Sequence, residues 1–114
     1  MAGNPIAAFA PATIVTDNAT QTIDCSSASH FRWTLGANRT VSTFLNPVGG
    51  QVIEMETIQD ATGSRTLTWP TNVNWPAATA PTLTTTAAKR DRFQFRYNSA
   101  TATWDGNTLG LNYT

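Results

Sequence analysis

The feature that most constrains the fold of this chain is a period-two alternation of apolar and polar side chains. It is clearest in residues 30–35 and 91–97, where aromatic or aliphatic residues alternate with polar or charged ones. Successive side chains of a β-strand point to opposite faces of a sheet, so the pattern predicts strands with one buried and one exposed face. Threonine, a β-branched residue that favours strands, is also the most frequent residue in the chain.

Turn-forming residues divide the chain from residue 13 onward into short segments of this kind. The predicted strands cover residues 13–16, 21–25, 30–35, 39–45, 51–58, 65–69, 72–75, 82–86, 91–97, 103–105 and 109–113. Residues 65–69 are predicted to return as the hairpin partner of residues 51–58, and Gly106-Asn107 is predicted to form a turn. Because no segment has helical periodicity, this spacing predicts one all-β domain over residues 13–114, an antiparallel β-sandwich or jelly roll.

Residues 1–12 have a different composition, rich in alanine, proline and glycine. Prolines discourage regular structure, which leaves two interpretations: a frayed terminus, or an extended arm that orders only against a neighbouring subunit. In the second interpretation Ile6 and Phe9 fill pockets on the neighbour. The candidate partner contacts in this arm are Asn4, Pro5, Ile6, Phe9 and Pro11.

The charge balance bears on the kind of partner. Seven basic and seven acidic side chains give a formal net charge of zero. A general nucleic-acid binder or a binder of anionic membranes needs a positive field, so neither is expected. A net charge near zero removes self-repulsion, which suits a protein that assembles with copies of itself, as a dimer or trimer.

One local basic stripe stands out in this neutral chain. Arg90, Arg92 and Arg96 lie on the polar face of one predicted strand, opposite its aromatic residues. Single-stranded nucleic acid is bound by basic and aromatic side chains on one surface, and here the two kinds face apart. We therefore expect these arginines to contact an acidic neighbour or to pair with acidic residues of this chain, namely Glu54, Glu56 or Asp91.

The single cysteine, Cys25, cannot form an intramolecular disulfide and is predicted to be a buried small hydrophobic residue. This agrees with folding in a reducing compartment. No signal peptide is visible at the N-terminus, and no stretch approaches the roughly 20 apolar residues of a membrane span. The expected site of synthesis is the cytoplasm.

Candidate chemistry is sparse. His30 is the only histidine and has no nucleophile pattern around it, so a surface or interface role is expected. Glu54 and Glu56 share one face of one strand, whereas the acid pair of a glycosidase normally faces across a cleft, so we expect solvated acids facing arginines. Residues 60–63 and 105–107 lack the acidic density of a calcium loop and are predicted to be turns. No catalytic residue, metal ligand or cofactor site is predicted, and an enzyme is not expected.

Four segments carry a resemblance to a known family: residues 36–40, 59–70, 80–85 and 91–97, with sequences GANRT, QDATGSRTLTWP, APTLTT and DRFQFRY. Their order, which spans residues 20–105, resembles a β-rich module of bacteriophage virion-surface proteins such as tail fibres. The resemblance implies a structural role in the virion and no catalytic residues.

A free-standing module of this size, preceded by a short arm, suits a capsid decoration (cement) protein that bridges capsid subunits. Its expected partners are the major capsid protein or other virion proteins, and its expected location is the virion, after synthesis in the host cytoplasm. The alternative is a tail-fibre or spike module that binds a host cell-surface glycan. In that case Trp75, Trp104 or Tyr113 is expected to be exposed and to stack on sugars.

Overall fold

The computed structural model describes residues 11–114. The candidate arm residues Asn4, Pro5, Ile6 and Phe9 lie outside this part of the chain. The described chain is all-β, as predicted, and its only helical turn is a three-residue 3₁₀ turn at Pro76–Ala78. The strands are β1 (Thr13–Ile14), β2 (Thr20–Asp24), β3 (His30–Leu35), β4 (Arg39–Leu45), β5 (Val52–Gln59), β6 (Leu67–Thr68), β7 (Val73–Asn74), β8 (Arg90–Asn98) and β9 (Thr103–Tyr113).

The strands form two sheets, and the chain passes back and forth between them. One sheet has six strands in the order β1-β3-β5-β8-β9-β7, and the other has three in the order β2-β4-β6. From β1 to β6 the odd strands enter the larger sheet and the even strands enter the smaller one. Each strand from β1 to β4 therefore pairs in parallel with the strand two positions further along the chain, in the same sheet. We call this part of the fold, β1 to β6, the parallel coil.

The predicted antiparallel arrangement is wrong for most of the pairings. Only β5–β8 and β8–β9 are antiparallel; the other five described pairings are parallel. The predicted hairpin between residues 51–58 and 65–69 is also wrong, because β6 pairs with β4 in the smaller sheet. Period-two alternation specifies which face of a strand is buried, but it is the same for either strand direction. The connections here cross between sheets instead of folding back as hairpins.

Two predicted elements around β8 and β9 differ from the structure. Residues 82–86 form no strand; Leu83 is buried and Thr84 is held by side-chain hydrogen bonds. Gly106-Asn107 forms no turn, because β9 runs unbroken through it. A Cβ atom on Gly106 would lie 2.8 Å from the Trp75 ring, so this glycine allows close packing and not a change of direction.

The turn predicted at residues 60–63 is confirmed. Asp60 Oδ1 accepts hydrogen bonds from the backbone N–H groups of Thr62 and Gly63, each at 3.0 Å. Gly63 has φ +75°, a conformation that favours glycine. The side chain of Arg65 closes the loop with an ion pair to Asp60 at 2.9 Å.

A single hydrophobic core lies between the two sheets. Phe44 of the smaller sheet contacts Phe95 and Trp104 of the larger one, with ring centroids 5.1 and 5.3 Å apart. Cys25 is buried in this core, as predicted, and its burial raises the pKa of the thiol to about 12. Across residues 11–114 there is no helix of the length and apolarity that a membrane crossing requires.

Candidate contact surface

The outer face of the six-stranded sheet carries most of the charged residues of the larger sheet. Alternation along β3, β5 and β8 sends most of their large apolar side chains into the core and most of their charged ones outward. The exceptions are Val52 and Ile58, which share the outer face, and Asp91, which is buried. The register aligns Arg32, Glu56 and Arg92 in one row across these three strands. We call this surface the charged face and define it by Arg32, Glu54, Glu56, Arg90, Arg92 and Arg96.

Glu56 is the centre of the charged face. Its carboxylate accepts a hydrogen bond from Arg32 Nε at 2.6 Å and another from Arg90 Nη1, and Arg92 Nε lies 3.6 Å away. Burial by itself would raise the pKa of Glu56, but the hydrogen bonds and charges of Arg90 and Arg32 outweigh it and leave the pKa lowered. The expectation of a solvated acid is wrong for this residue, which is buried although it faces away from the main core.

The arginine stripe is largely paired within the chain, as one of its two predicted interpretations requires. Arg92 lies 3.4 Å from Glu54, and Arg90 pairs with Glu56. The guanidinium carbons of Arg90 and Arg92 also lie 5.5 and 5.8 Å from the centre of the Tyr113 ring, within cation–π distance. This contact was not predicted, because it depends on where β9 ends relative to β8.

Asp91 and Arg96, which were also considered for pairing between arginines and acids, behave differently. Asp91 is not an arginine partner; it is buried and accepts hydrogen bonds from Thr84 N, Thr84 Oγ1 and Asn112 N at 2.7 to 2.9 Å. It ties the loop before β8 to the end of β9. Arg96 is exposed on the charged face, opposite Asp105 in the register of β8 and β9.

An open hollow of about 480 Å³ lies beside the charged face. Its lining includes Pro11, the one candidate arm residue that the structure describes, together with His30, Glu54 and Gln94. His30 and Glu54 are register partners on β3 and β5, and His30 is half-buried. Among residues 11–114 no three His, Cys, Asp or Glu side chains come together in the way that a metal ion requires.

The aromatic residues considered for sugar stacking are mostly inside the protein. Trp104 is fully buried, and Trp75 packs edge-on against Trp69 and Phe95 with ring centroids 5.7 and 5.5 Å apart. The expectation that they are exposed is therefore wrong for Trp104. Trp75 is half-buried, so only part of its ring is accessible. Tyr113 is exposed, at 38% of its surface.

The outer face of the smaller sheet is different in character. Thr20, Thr40 and Thr68 are register partners across β2, β4 and β6 and form a row of β-branched hydroxyl side chains. We call it the threonine row. It was not predicted, because the sequence gives no sign that residues so far apart align on neighbouring parallel strands.

Comparisons with protein-family models, with curated proteins and with solved structures found no match. The interpretation of these surfaces therefore depends on their geometry. Two broad faces are available for contact: one bears mutually paired charges, and the other bears uncharged hydroxyl groups.

Proposed function

We propose that the protein is a bacteriophage virion structural protein, a capsid decoration (cement) protein that stabilises the shell by bridging capsid subunits. The resemblance of residues 20–105 to a virion-surface module is the first support. The structural observation that carries the proposal is the charged face, where the arginines and glutamates already hold one another in fixed positions. Side chains that are ordered before binding lose less conformational entropy in an interface.

The partner in this proposal is the major capsid protein or another virion protein. Paired charges and the threonine row offer hydrogen-bonding groups without a strong field of one sign, which suits a broad protein contact better than a polyanion. Arg32, Arg92 and Arg96 are the exposed cations of the charged face, and an acidic neighbour has access to them. The function requires no cofactor, no catalytic group and no membrane.

We further infer that residues 13–114 form a sandwich-type domain with an extended arm over residues 1–12. Asn4, Pro5, Ile6, Phe9 and Pro11 are the arm residues that would contact the capsid. Pro11 supports this role because it is exposed at the rim of the hollow, where a partner has access to it.

Deletion of residues 2–11 tests the arm. Particles that lack the protein are incubated with purified full-length or truncated chain, and occupancy is measured after sedimentation. We expect the truncated chain to fold, by circular dichroism, and to lose attachment. The full-length variant Ile6→Ala, Phe9→Ala is the matched control for chain length, and it should also bind weakly. Full occupancy by the truncated chain would overturn the arm as the attachment element.

A second candidate is a tail-fibre or spike module that binds a cell-surface glycan. The observation that favours it is the Tyr113 ring, which is exposed and lies next to Arg90 and Arg92 of the charged face. Arginine side chains can donate hydrogen bonds to sugar hydroxyls. Consistent binding to one carbohydrate on a glycan array, lost in Tyr113→Ala, would favour this function. Imaging of labelled protein on the head or the tail of the particle separates the two candidates directly.

A further inference from the structure

The parallel coil ends in two strands without outer neighbours. β1 is the outermost strand of the larger sheet and β2 is the outermost strand of the smaller one, within the described residues. Since β1 and β2 are consecutive in the chain, both free edges lie at the same end of the molecule. We call this end, Thr13–Asp24, the open end of the coil. The ends of stacked β structures are normally covered, because an uncovered edge is a template for pairing with another strand.

The backbone hydrogen bonds identify which groups face outward at this end. Val15 N donates to the backbone carbonyl oxygen of Arg32 on β3, and Cys25 N donates to that of Leu45, the last residue of β4. Because backbone groups alternate in direction along a strand, those of Ile14 on β1 and of Thr20 and Thr22 on β2 point away from the coil. These three residues are therefore positioned to hydrogen bond with an added strand.

Apolar surface accompanies the free edges. A narrow slot of about 160 Å³ opens between β1 and β2, and the core residues Val15, Ile23 and Phe31 are part of its lining. Ile14, at its margin, leaves 70% of its surface exposed, the highest exposure among the large hydrophobic residues of the described chain. An added strand would cover both this side chain and the slot.

The charges at the open end are compatible with a second copy of the same chain. Its exposed side chains are uncharged except for Asp17 and Asp24, and threonine is the most frequent among them. Both carboxylates accept hydrogen bonds within the chain. Asp17 pairs with Arg39 at 2.7 Å, and Asp24 accepts hydrogen bonds from Ser26 and Asn46. Arg39 compensates the charge of Asp17, so Asp24 is the only carboxylate of this end without a described cation partner. Two copies would thus meet with little like-charge repulsion, whereas a strongly charged partner would find little complementary field.

The opposite edge of the larger sheet has features that discourage pairing. Its outermost strand, β7, is only two residues long, and β9 beside it has register shifts opposite Arg90–Phe93. Asn112 near the end of β9 has φ +63°, which interrupts a regular edge. Short edge strands and bulges are recognised means of preventing edge-to-edge association. At the open end β1 is as short as β7, and the pairing of β2 with β4 has a register shift between Gln21 and Thr22. The difference lies in the length of β2, whose five residues offer a longer free edge than β7 does.

We propose that a second copy of this chain docks at the open end, with β1 and β2 of one copy beside β1 and β2 of the other across a two-fold axis. A two-fold interface joins identical surfaces and closes after two copies, so it gives a dimer and not a fibre. This inference deepens the proposed function, since it gives the homo-oligomer of that proposal a specific interface.

Analytical ultracentrifugation of the full-length chain over a range of concentrations tests the inference. We expect a dimer whose Kd rises at least tenfold in Ile14→Lys, Thr22→Lys, because lysine on an edge strand opposes pairing. Leu109→Lys is the matched control, an exposed apolar residue on β9 at the other side of the sheet, and its dimer should be unchanged. Circular dichroism confirms that each variant folds.

Three results would overturn the proposal. One is a wild-type chain that stays monomeric or forms a trimer. Another is a dimer weakened by Leu109→Lys and not by the lysines at the open end. The third is a monomer that becomes a dimer only when residues 2–11 are deleted, since the edge would then belong to the chain's own N-terminal segment.

Disulfide cross-linking provides an independent readout. Thr22→Cys should form a cross-linked dimer under mild oxidation, whereas Leu109→Cys and the wild type, whose only cysteine is buried, should not. Particle attachment is assayed separately. If the lysine variant is monomeric and still decorates particles, the interface is supported and the capsid role does not depend on it. If the wild-type chain forms no dimer but decorates particles, this inference fails and the proposed function does not.

Discussion

At the scale of single residues, Glu56 is the group on which the charged face depends. It is buried, and Arg32 and Arg90 both donate to it. We expect Glu56→Gln to lower the free energy of unfolding by about 1–3 kcal/mol, because hydrogen bonds to a buried charged group are lost and the arginines are left close together. Urea denaturation measures the change.

Glu54→Gln is the control for that prediction. Glu54 lies on the same strand and faces the same way, but it is 3.4 Å from Arg92 and its side chain is 30% exposed. An exposed pair of this kind contributes about 0–1 kcal/mol. Equal losses in the two variants would mean that the burial of Glu56 adds nothing to its contribution.

Asp91 gives a second prediction at this scale. All three of its described partners are donors: Thr84 N, Thr84 Oγ1 and Asn112 N. In Asp91→Asn one carboxylate oxygen becomes an NH₂ group that faces a donor, and we expect a loss of about 1–3 kcal/mol in a thermal or urea melt. The exposed Asp105→Asn should change stability by less than about 0.5 kcal/mol. If the stability of Asp91→Asn equals that of the wild type, the anchoring of the loop by Asp91 is dispensable.

At the scale of elements, the packing of β9 against Trp75 requires a residue without a side chain at position 106. The strand runs unbroken through Gly106, where the Trp75 ring covers the position that a Cβ atom would occupy. We expect Gly106→Ala to cost about 1–3 kcal/mol through overpacking and to shift the tryptophan fluorescence as Trp75 moves. Thr108→Ala on the same strand should leave the fluorescence unchanged. An unaltered emission spectrum in Gly106→Ala would contradict the packing argument.

The elements also show what the sequence could and could not predict. β3 and β4 were predicted with their observed bounds, because their alternation is regular and they end at turn residues. The direction of pairing could not be predicted, because alternation is identical in parallel and antiparallel strands. Residues 82–86 resemble a strand but are fixed by Gln59 and Asp91, whose hydrogen bonds to Thr84 depend on the tertiary structure.

On the contact surface, too, local patterns could be predicted from the sequence, whereas features that depend on tertiary structure could not. The arginine stripe and its glutamate partners were predicted from their positions on polar strand faces. The burial of Glu56 was not, because it requires three arginines from two neighbouring strands to converge on it. The threonine row was missed because it depends on the register of distant strands.

At the scale of the whole molecule, several carboxylates make stability depend on pH. The pKa of Glu56 is lowered from its ordinary value of 4.5, that of Asp17 is lowered from 3.8, chiefly by its hydrogen bond from Arg39, and that of Asp60 is lowered from 3.8 to about 2, chiefly by Arg65. A group with a lowered pKa in the folded state contributes stability above its unfolded pKa and loses it as the pH falls through the folded value.

We therefore expect stability to be constant above about pH 5 and to fall progressively from 4.5 towards 2. Urea midpoints measured from neutral pH downward test this. In the Glu56→Gln variant the urea midpoint should fall less steeply in the upper part of this pH range, near pH 4.5. A wild-type midpoint that rises on acidification would mean that the described ion pairs do not control the pH dependence.

The parallel coil has a consequence for the order in which the chain can fold. The strands β8 and β9 form the only described pairing between consecutive strands, whereas each coil pairing waits for a full circuit of the chain. Closing a long loop costs more entropy than closing a short one, so we expect the hairpin of β8 and β9 to form first and to receive β5 next. Because β8 and β9 follow the coil strands in the chain, the nascent chain would carry the coil strands unpaired until β8 and β9 have been synthesised. Pulsed amide exchange during refolding would show early protection in β8 and β9, and earlier protection in β2 and β4 would reverse that order.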